Sequence, residues 1–208
     1  MLSFDTDQDL TQNYKFLIGA VLPRPIAVVS TKNENGTDNL APFSFFNVFS
    51  AKPMIVGFAP IRKPNSGEKK DTLINIEREK EFVINFVTEE NADLINLCST
   101  EIPHGDSEFT FAGLDPIPSE TIKAARLKQS PIHFECKLKD IVSYGDWPGA
   151  GALITGEVTK VHIDEKIYDN GRIITDAWKP LGRGAGNDWF KTDSIIEKTR
   201  LTKAQIQK

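Results

Sequence analysis

Cysteine is scarce in this chain. Cys98 and Cys136 are its only two among 208 residues, and neither stands in a Cys-x-x-Cys or other metal-ligand spacing, so no metal centre is expected. No Gly-x-Gly-x-x-Gly follows a strand pattern, which removes a Rossmann nucleotide domain. No apolar run approaches the ~20 residues that span a bilayer, and Met1 to Asp9 has neither a basic n-region nor an apolar h-region. The expectation is a cytoplasmic protein without a membrane partner. A long basic stripe is also missing: 25 Lys and Arg face 29 Asp and Glu, for a net charge of -4 and a pI near 5.5, so nucleic acid is not an expected ligand. No linker rich in Pro, Gly or Ser divides the sequence, and no internal repeat or low-complexity segment occurs. One domain over residues 1–208 is therefore expected, with an ordinary globular balance of apolar and charged residues.

What is present reads mainly as short strands. Pro25 to Ser30 is an apolar run that ends at the turn signal Asn33-Glu34-Asn35-Gly36, and Thr37 to Phe43 would pair back on it. Further strands are read at Met54 to Ala59 and at Glu81 to Val87, where Phe82, Ile84 and Phe86 alternate. Later strands follow at His133 to Val142 and at Ala152 to Ile163. The last changes phase, with Ile154 and Val158 even but Val161 and Ile163 odd, which predicts a bulge near Thr159-Lys160. Cys136 shares the apolar side with Phe134 and Leu138, while Glu135, Lys137 and Lys139 point the other way. Thr88 is read as the cap of a helix from Glu89 to Cys98, and Thr100 to Gln129 as loop with a short helix. Asp169-Asn170-Gly171-Arg172 is a turn, and Ser194 to Lys208 is polar and helix-compatible. Closely spaced strands with short turns imply a mainly β fold, an antiparallel barrel with a few peripheral helices.

The chemistry gathers between Asp38 and Thr72. Asn39 to Asn47 reads as a turn of small and polar residues, and beyond Ala59 come Arg62, Lys63, Lys69 and Lys70 against Glu68 and Asp71. A local cationic excess in an acidic chain suggests a small anion. A helix starting at Asp71 or Thr72 would present unpaired N–H groups to it, with Arg62 as a bidentate fork, Lys70 as a point charge and Thr72 as a hydroxyl donor. The alternative is that Asp71 or Thr72 caps the helix and the cations lie in water. Arg24, between Pro23 and Pro25, has no flanking N–H groups to share its work and offers only its side chain, to a ligand or to a structural carboxylate. Phe43, Phe45 and Phe46 serve as core or as apolar walls. His133 and His162 are read as surface or structural histidines.

Three strings carry a resemblance: Pro23 to Thr31, Asn39 to Asn47, and Lys70-Asp71-Thr72-Leu73-Ile74-Asn75-Ile76. With Glu108 to Leu114, Ser130 to Cys136, Gly156-Glu157-Val158 and Pro180 to Gly184, they make the chain similar to the flavin-reductase-like family of FMN-binding split barrels over about residues 14 to 190. The resemblance implies an antiparallel split barrel and a homodimer with flavin near the subunit interface. It places Asn39, Ala41, Pro42, Ser44 and Asn47 in the turn that lines the flavin, and Arg62, Lys70, Asp71 and Thr72 at its phosphate or ribityl chain. Arg24 and Arg183 are further candidates, although Gly184-Ala185-Gly186 and Trp189 depart from the family string.

The implied cofactor is FMN, with FAD as the alternative, and the implied donor is NADH or NADPH. Hydride would pass from nicotinamide to flavin, a chemistry that belongs to the cofactor and needs no protein acid or base. No catalytic residue is therefore assigned. A monooxygenase or other electron acceptor is the implied partner. Two other readings stay open: an FMN-carrying electron-transfer protein, and a relative of the pyridoxamine-phosphate-oxidase barrels.

Overall fold

The computed structural model describes residues 1–7 and 9–206; Gln8, Gln207 and Lys208 lie outside it, including the end of the helix-compatible tail. The chain opens with helix α1 (Leu10–Ala20), whose N-terminus is capped by the Asp9 carboxylate accepting from Gln12 N–H at 2.9 Å. Then follow β1 (Arg24–Pro25), β2 (Ala27–Lys32), β3 (Asp38–Phe43), β4 (Phe46–Ala51), β5 (Met54–Phe58), α2 (Asp71–Glu79), β6 (Glu81–Phe86), α3 (Ala92–Leu97) and α4 (Glu108–Ala112). The second half holds β7 (Pro116–Ile117), β8 (Arg126–Leu127) and the long strands β9 (Ile132–Ser143) and β10 (Ala152–Ile163). After these come β11 (Tyr168–Asp169), β12 (Arg172–Ile173), α5 (Thr175–Trp178), β13 (Leu181–Arg183), β14 (Trp189–Lys191) and α6 (Lys203–Ile206).

Seven strands form one antiparallel sheet in the order β3-β2-β6-β9-β10-β5-β4. Its two edge strands, β3 and β4, are consecutive in the chain and joined only by Ser44 and Phe45, yet they do not pair. The sheet therefore curls back on itself and stays split along that seam. The inner core holds Ala27, Val29, Phe43, Val56, Phe58, Phe82, Ile84, Cys136 and Ile154, closed by Leu73 and Ile76 of α2. Strand alternation sends Val28 and Leu40 to the opposite face, where they meet Ile95, Cys98, Phe109 and Leu127 in a second core under α3 and α4. Strand β2 is buried on both faces, which is why its sequence reads as an unbroken apolar run.

The β9–β10 ladder slips between Val158 and Lys160, leaving Thr159 unmatched where the phase change predicted a bulge, and slips again between Thr155 and Gly156. The turn at Asn170-Gly171 has both residues at positive φ, 46° and 82°, and joins β11 to β12 as expected.

Three points of the sequence reading need correction. The stretch from Asn39 to Asn47 is not a turn: it is strand except at Ser44 and Phe45, and β4 was hidden because an exposed edge strand buries too little to show a clean pattern. Helix α1 was not foreseen, since its only buried residue is Ile18. The helix before Cys98 starts at Ala92 rather than Glu89, because Thr88 and Asn91 satisfy each other's N–H groups with their side chains at 2.8 and 3.3 Å and form a turn first. The side of β9 that carries Glu135 and His133 is covered by the segment from Glu120 to Leu127, so of the two readings of His133 the structural one holds.

Candidate functional site

A cleft of about 240 Å³ opens at the seam, along the free edge of β3 and the turn that leads from it to β4. One wall is β3 and its turn, contributing Asn39, Ala41, Pro42, Ser44 and Phe45; Tyr14 of α1 stands beside Phe45, with ring centroids 6.3 Å apart. The facing wall is built from Lys63, Lys70, Asp71 and Thr72, and the segment from Cys98 to Ile102 closes the third side. Pro42 suits this place. Leu40, two residues earlier on the same edge, turns its N–H away from β2 toward Glu108, so the N–H that proline lacks would have met no ladder partner.

The cationic wall is organised by the start of α2. Lys70 occupies the N-cap position, and no side chain caps the helix there. Lysine has no acceptor, so the first N–H groups of this nine-residue helix keep their positive end toward the cleft. Thr72 accepts from Asn39 Nδ2 at 3.1 Å, which leaves its hydroxyl hydrogen to donate elsewhere. Among the described residues no carboxylate lies within ion-pair distance of Lys70, whereas Lys69 is held by Glu77 at 2.7 Å and Lys63 by Glu68 at 3.4 Å. The alternative of a side-chain cap from Asp71 or Thr72 is thus not realised.

Carboxyl groups line the same cleft, and of them the sequence singled out Asp71 but not Glu108 or Glu101. Glu108, in the first turn of α4, is only 7% exposed, and its Oε2 accepts from Leu40 N–H at 2.9 Å. Burial pushes its carboxyl above the ordinary value against the backbone N–H groups of Leu40 and of Glu108 itself, and the nearby charge of Asp71 adds to the rise. Asp71 itself meets His104 Nδ1 at 2.8 Å at the mouth. Cys98 lines the cleft as an inert thiol, pushed up to about 12 by burial and then by Glu108.

Other candidates lie off the cleft lining. Arg24 is buried and pairs with no carboxylate among the described residues: it donates to the carbonyls of Ile18, Val21 and Gly184 at 2.6 to 2.8 Å and to Ser44 Oγ at 3.3 Å. It ties the end of α1 to the β3–β4 turn and to the loop after β13, and so positions Tyr14 and Ser44. Arg62 spends its guanidinium on the carbonyls of Gly67 and Gly145 instead of forking toward the cleft. Asn47 is exposed, with its side chain turned to Val48 N–H. Arg183 folds over Trp189 at 5.4 Å and holds its own loop through Gly186 and Asp188. His133 and His162 belong to a separate cluster: His133 meets the Leu127 carbonyl at 2.8 Å and His162 the Glu135 carboxylate at 2.7 Å.

This arrangement of split sheet, seam cleft and uncapped helix has relatives. Residues 19–177 match the family model described as flavin reductase like domain. The chain belongs to the flavin-reductase-like family. Within it, a Halalkalibacterium halodurans protein of uncharacterized function is 39% identical over 196 residues, covering 93% of each chain. The crystal structure of nitrilotriacetate monooxygenase component B from Bacillus cereus superposes with a TM-score of 0.90 at 35% identity, over 95% of this chain and 98% of that one. The Pseudomonas fluorescens 2-nitrobenzoate 2-nitroreductase gives 0.88 at 31% identity, over 98% of both. This member of the flavin-reductase-like family has the mainly antiparallel split-barrel fold, and a flavin is the cofactor of its family. None of its described helices is long and apolar enough to cross a membrane.

Proposed function

We propose that this chain, acting as one domain in a cytoplasmic homodimer, binds FMN noncovalently in the seam cleft and is an NAD(P)H-dependent flavin reductase. The observation that carries this reading is the uncapped N-terminus of α2, with Lys70 at the cap position and Thr72 in the first turn, opening into a cleft walled by Ala41, Pro42 and Ser44. A phosphate monoester would receive the helix N–H groups, the Thr72 hydroxyl and the Lys70 charge, and Lys63 would add a second cation from the same wall. The β3 turn offers backbone groups and the Phe45 and Tyr14 rings to a flat heteroaromatic system. When bound, the flavin supplies the hydride chemistry, and the protein's part is to hold it and to tune it through hydrogen bonds and charge. The similarity to a monooxygenase component B supports an oxygenase as the consumer of the reduced flavin.

Lys70→Ala tests the assignment. It is expected to weaken FMN by about tenfold or more, the scale of losing one charge-assisted contact, and to leave riboflavin nearly unchanged, as read by quenching of flavin fluorescence. Equal losses for both flavins would remove the phosphate from this wall. Anaerobic addition of NADH and then NADPH to the FMN-loaded protein, followed by visible absorption, identifies the donor; a bound flavin bleached by neither would make the chain an electron carrier.

A further inference from the structure

Glu108 has no role in the reading above, yet it shares a small cleft with the groups that would hold the phosphate. Its side chain sits between the open edge of β3 and the start of α2, met by the N–H of Leu40 and by its own backbone N–H, with no cation within ion-pair distance among the described residues. The charged and titratable groups around it come from every side. Asp71 faces it from α2 with His104 on its outer oxygen, Cys98 from the end of α3, and Glu101 from the loop beyond. Lys63 and Lys70 stand on the facing wall, and Tyr14 at the mouth. The cleft therefore carries three carboxyl groups against two lysines before any ligand enters.

We propose that Glu108 is a proton-coupled positioning residue that matches the cleft to a phosphate monoester by taking up a proton when the ligand's charge arrives. A dianionic group beside Asp71 and Glu108 meets two like charges in a confined space, where repulsion is poorly screened. Asp71 is bonded to His104 at the more open mouth, whereas Glu108 is nearly buried, has no cation partner among the described residues and is met only by backbone N–H groups, so Glu108 is the group that protonates. The neutral acid keeps its bond to Leu40 through one oxygen and gains an O–H donor on the other. Phosphate affinity then falls as the pH rises, at the pH where protonating Glu108 becomes costly. This inference rests on the proposed flavin site, and names what that site does with charge.

Titration calorimetry of FMN and of riboflavin, in buffers of different ionisation enthalpy from about pH 6 to about pH 9, counts the protons taken up on binding. Over part of that range the wild-type protein is expected to take up as much as about one proton more per FMN than Glu108→Gln does. The titration of the ligand's own phosphate is common to both proteins and cancels. Riboflavin should show no difference between them, and Glu108→Gln should hold FMN with an affinity that varies less with pH. Asp71→Asn, which removes a like charge and keeps Glu108, should lower the uptake and decides the matter if Glu108→Gln does not fold. Equal uptake in wild type and Glu108→Gln, or an uptake unaltered in Asp71→Asn, overturns the role of Glu108 alone. No binding of FMN overturns the flavin site and this inference together.

Discussion

Two glutamates of this fold are buried to nearly the same degree, and their surroundings drive them in opposite directions. Glu135, on β9, is 0% exposed, and burial alone would raise it. The Thr121 hydroxyl, Glu120 N–H, His162 Nε2 and Thr121 N–H all converge on its two oxygens at 2.5 to 2.8 Å, and together they bring it down to about 2. Glu108, 7% exposed, is met only by the backbone N–H groups of Leu40 and of Glu108 itself and has Asp71 for a neighbour, and burial leaves its carboxyl raised. Burial sets the stakes, and the number of donors decides the charge. A carboxylate saturated with donors is a structural fixture; one left short of donors beside a cleft is free to respond to what enters.

Glu135→Ala is the strongest way to break this contrast. It strands the converging donors in a dry site and should cost about 3 to 5 kcal/mol in urea denaturation. Next, Thr121→Val removes a hydroxyl donor to a charged group and should cost about 1.5 to 3 kcal/mol, with the loss shrinking in acid. The sign follows from linkage: Glu135 lies below its ordinary 4.5, so its contribution is complete above 4.5 and is lost as the pH falls through about 2. The smallest effect is that of Glu108→Gln. Glu108 is raised, so its contribution is complete below 4.5 and is lost as the pH rises through its folded value. The variant should match wild type to within about 0.5 kcal/mol in acid and become the more stable protein as the pH rises above 4.5. Parallel midpoint-against-pH curves for the two proteins would show that Glu108 is as settled as Glu135.

His133 completes the structural cluster. Burial lowers its imidazole to about 4, and its Nε2 is engaged by the Leu127 carbonyl. Nearby, Glu81 accepts from Lys123 N–H at 2.6 Å and from Lys137 Nζ at 2.5 Å. Glu81 and Glu135 thus anchor the segment from Glu120 to Lys123 over β9, which is why the polar side of this strand is buried at Glu135 and His133.

Much of the barrel was legible because its strands obey simple periods. The double burial of β2, the alternation of β6 and the phase change in β10 all follow from side chains pointing to opposite faces at every step. Helix α2 was also readable, since Leu73 and Ile76 recur at helical spacing after a run of cations. Edge strand β4 and surface helix α1 bury too little to leave such a trace. In the cleft, Asn39, Ala41, Pro42, Ser44, Lys70, Asp71 and Thr72 come from one contiguous stretch of chain and were found together. Tyr14, the segment from Cys98 to Ile102, and Glu108 reach it from distant positions. Glu108 in particular stood only as the first residue of the string Glu108 to Leu114, in a stretch read as loop with a short helix, where nothing local signals its burial.

The sequence by itself determined the kind of object this is: strand periods, the turn chemistry at Asn170-Gly171 and the cationic approach to α2 are local properties, written in neighbouring residues. Only the tertiary structure decided which charges meet. Arg62 was drawn off to the carbonyls of Gly67 and Gly145, Lys70 was left open, and Glu108 was set facing Asp71 across an unpaired strand edge. Those outcomes depend on how the sheet curls and where it stays split, and electrostatic energy depends on distance in space rather than separation along the chain.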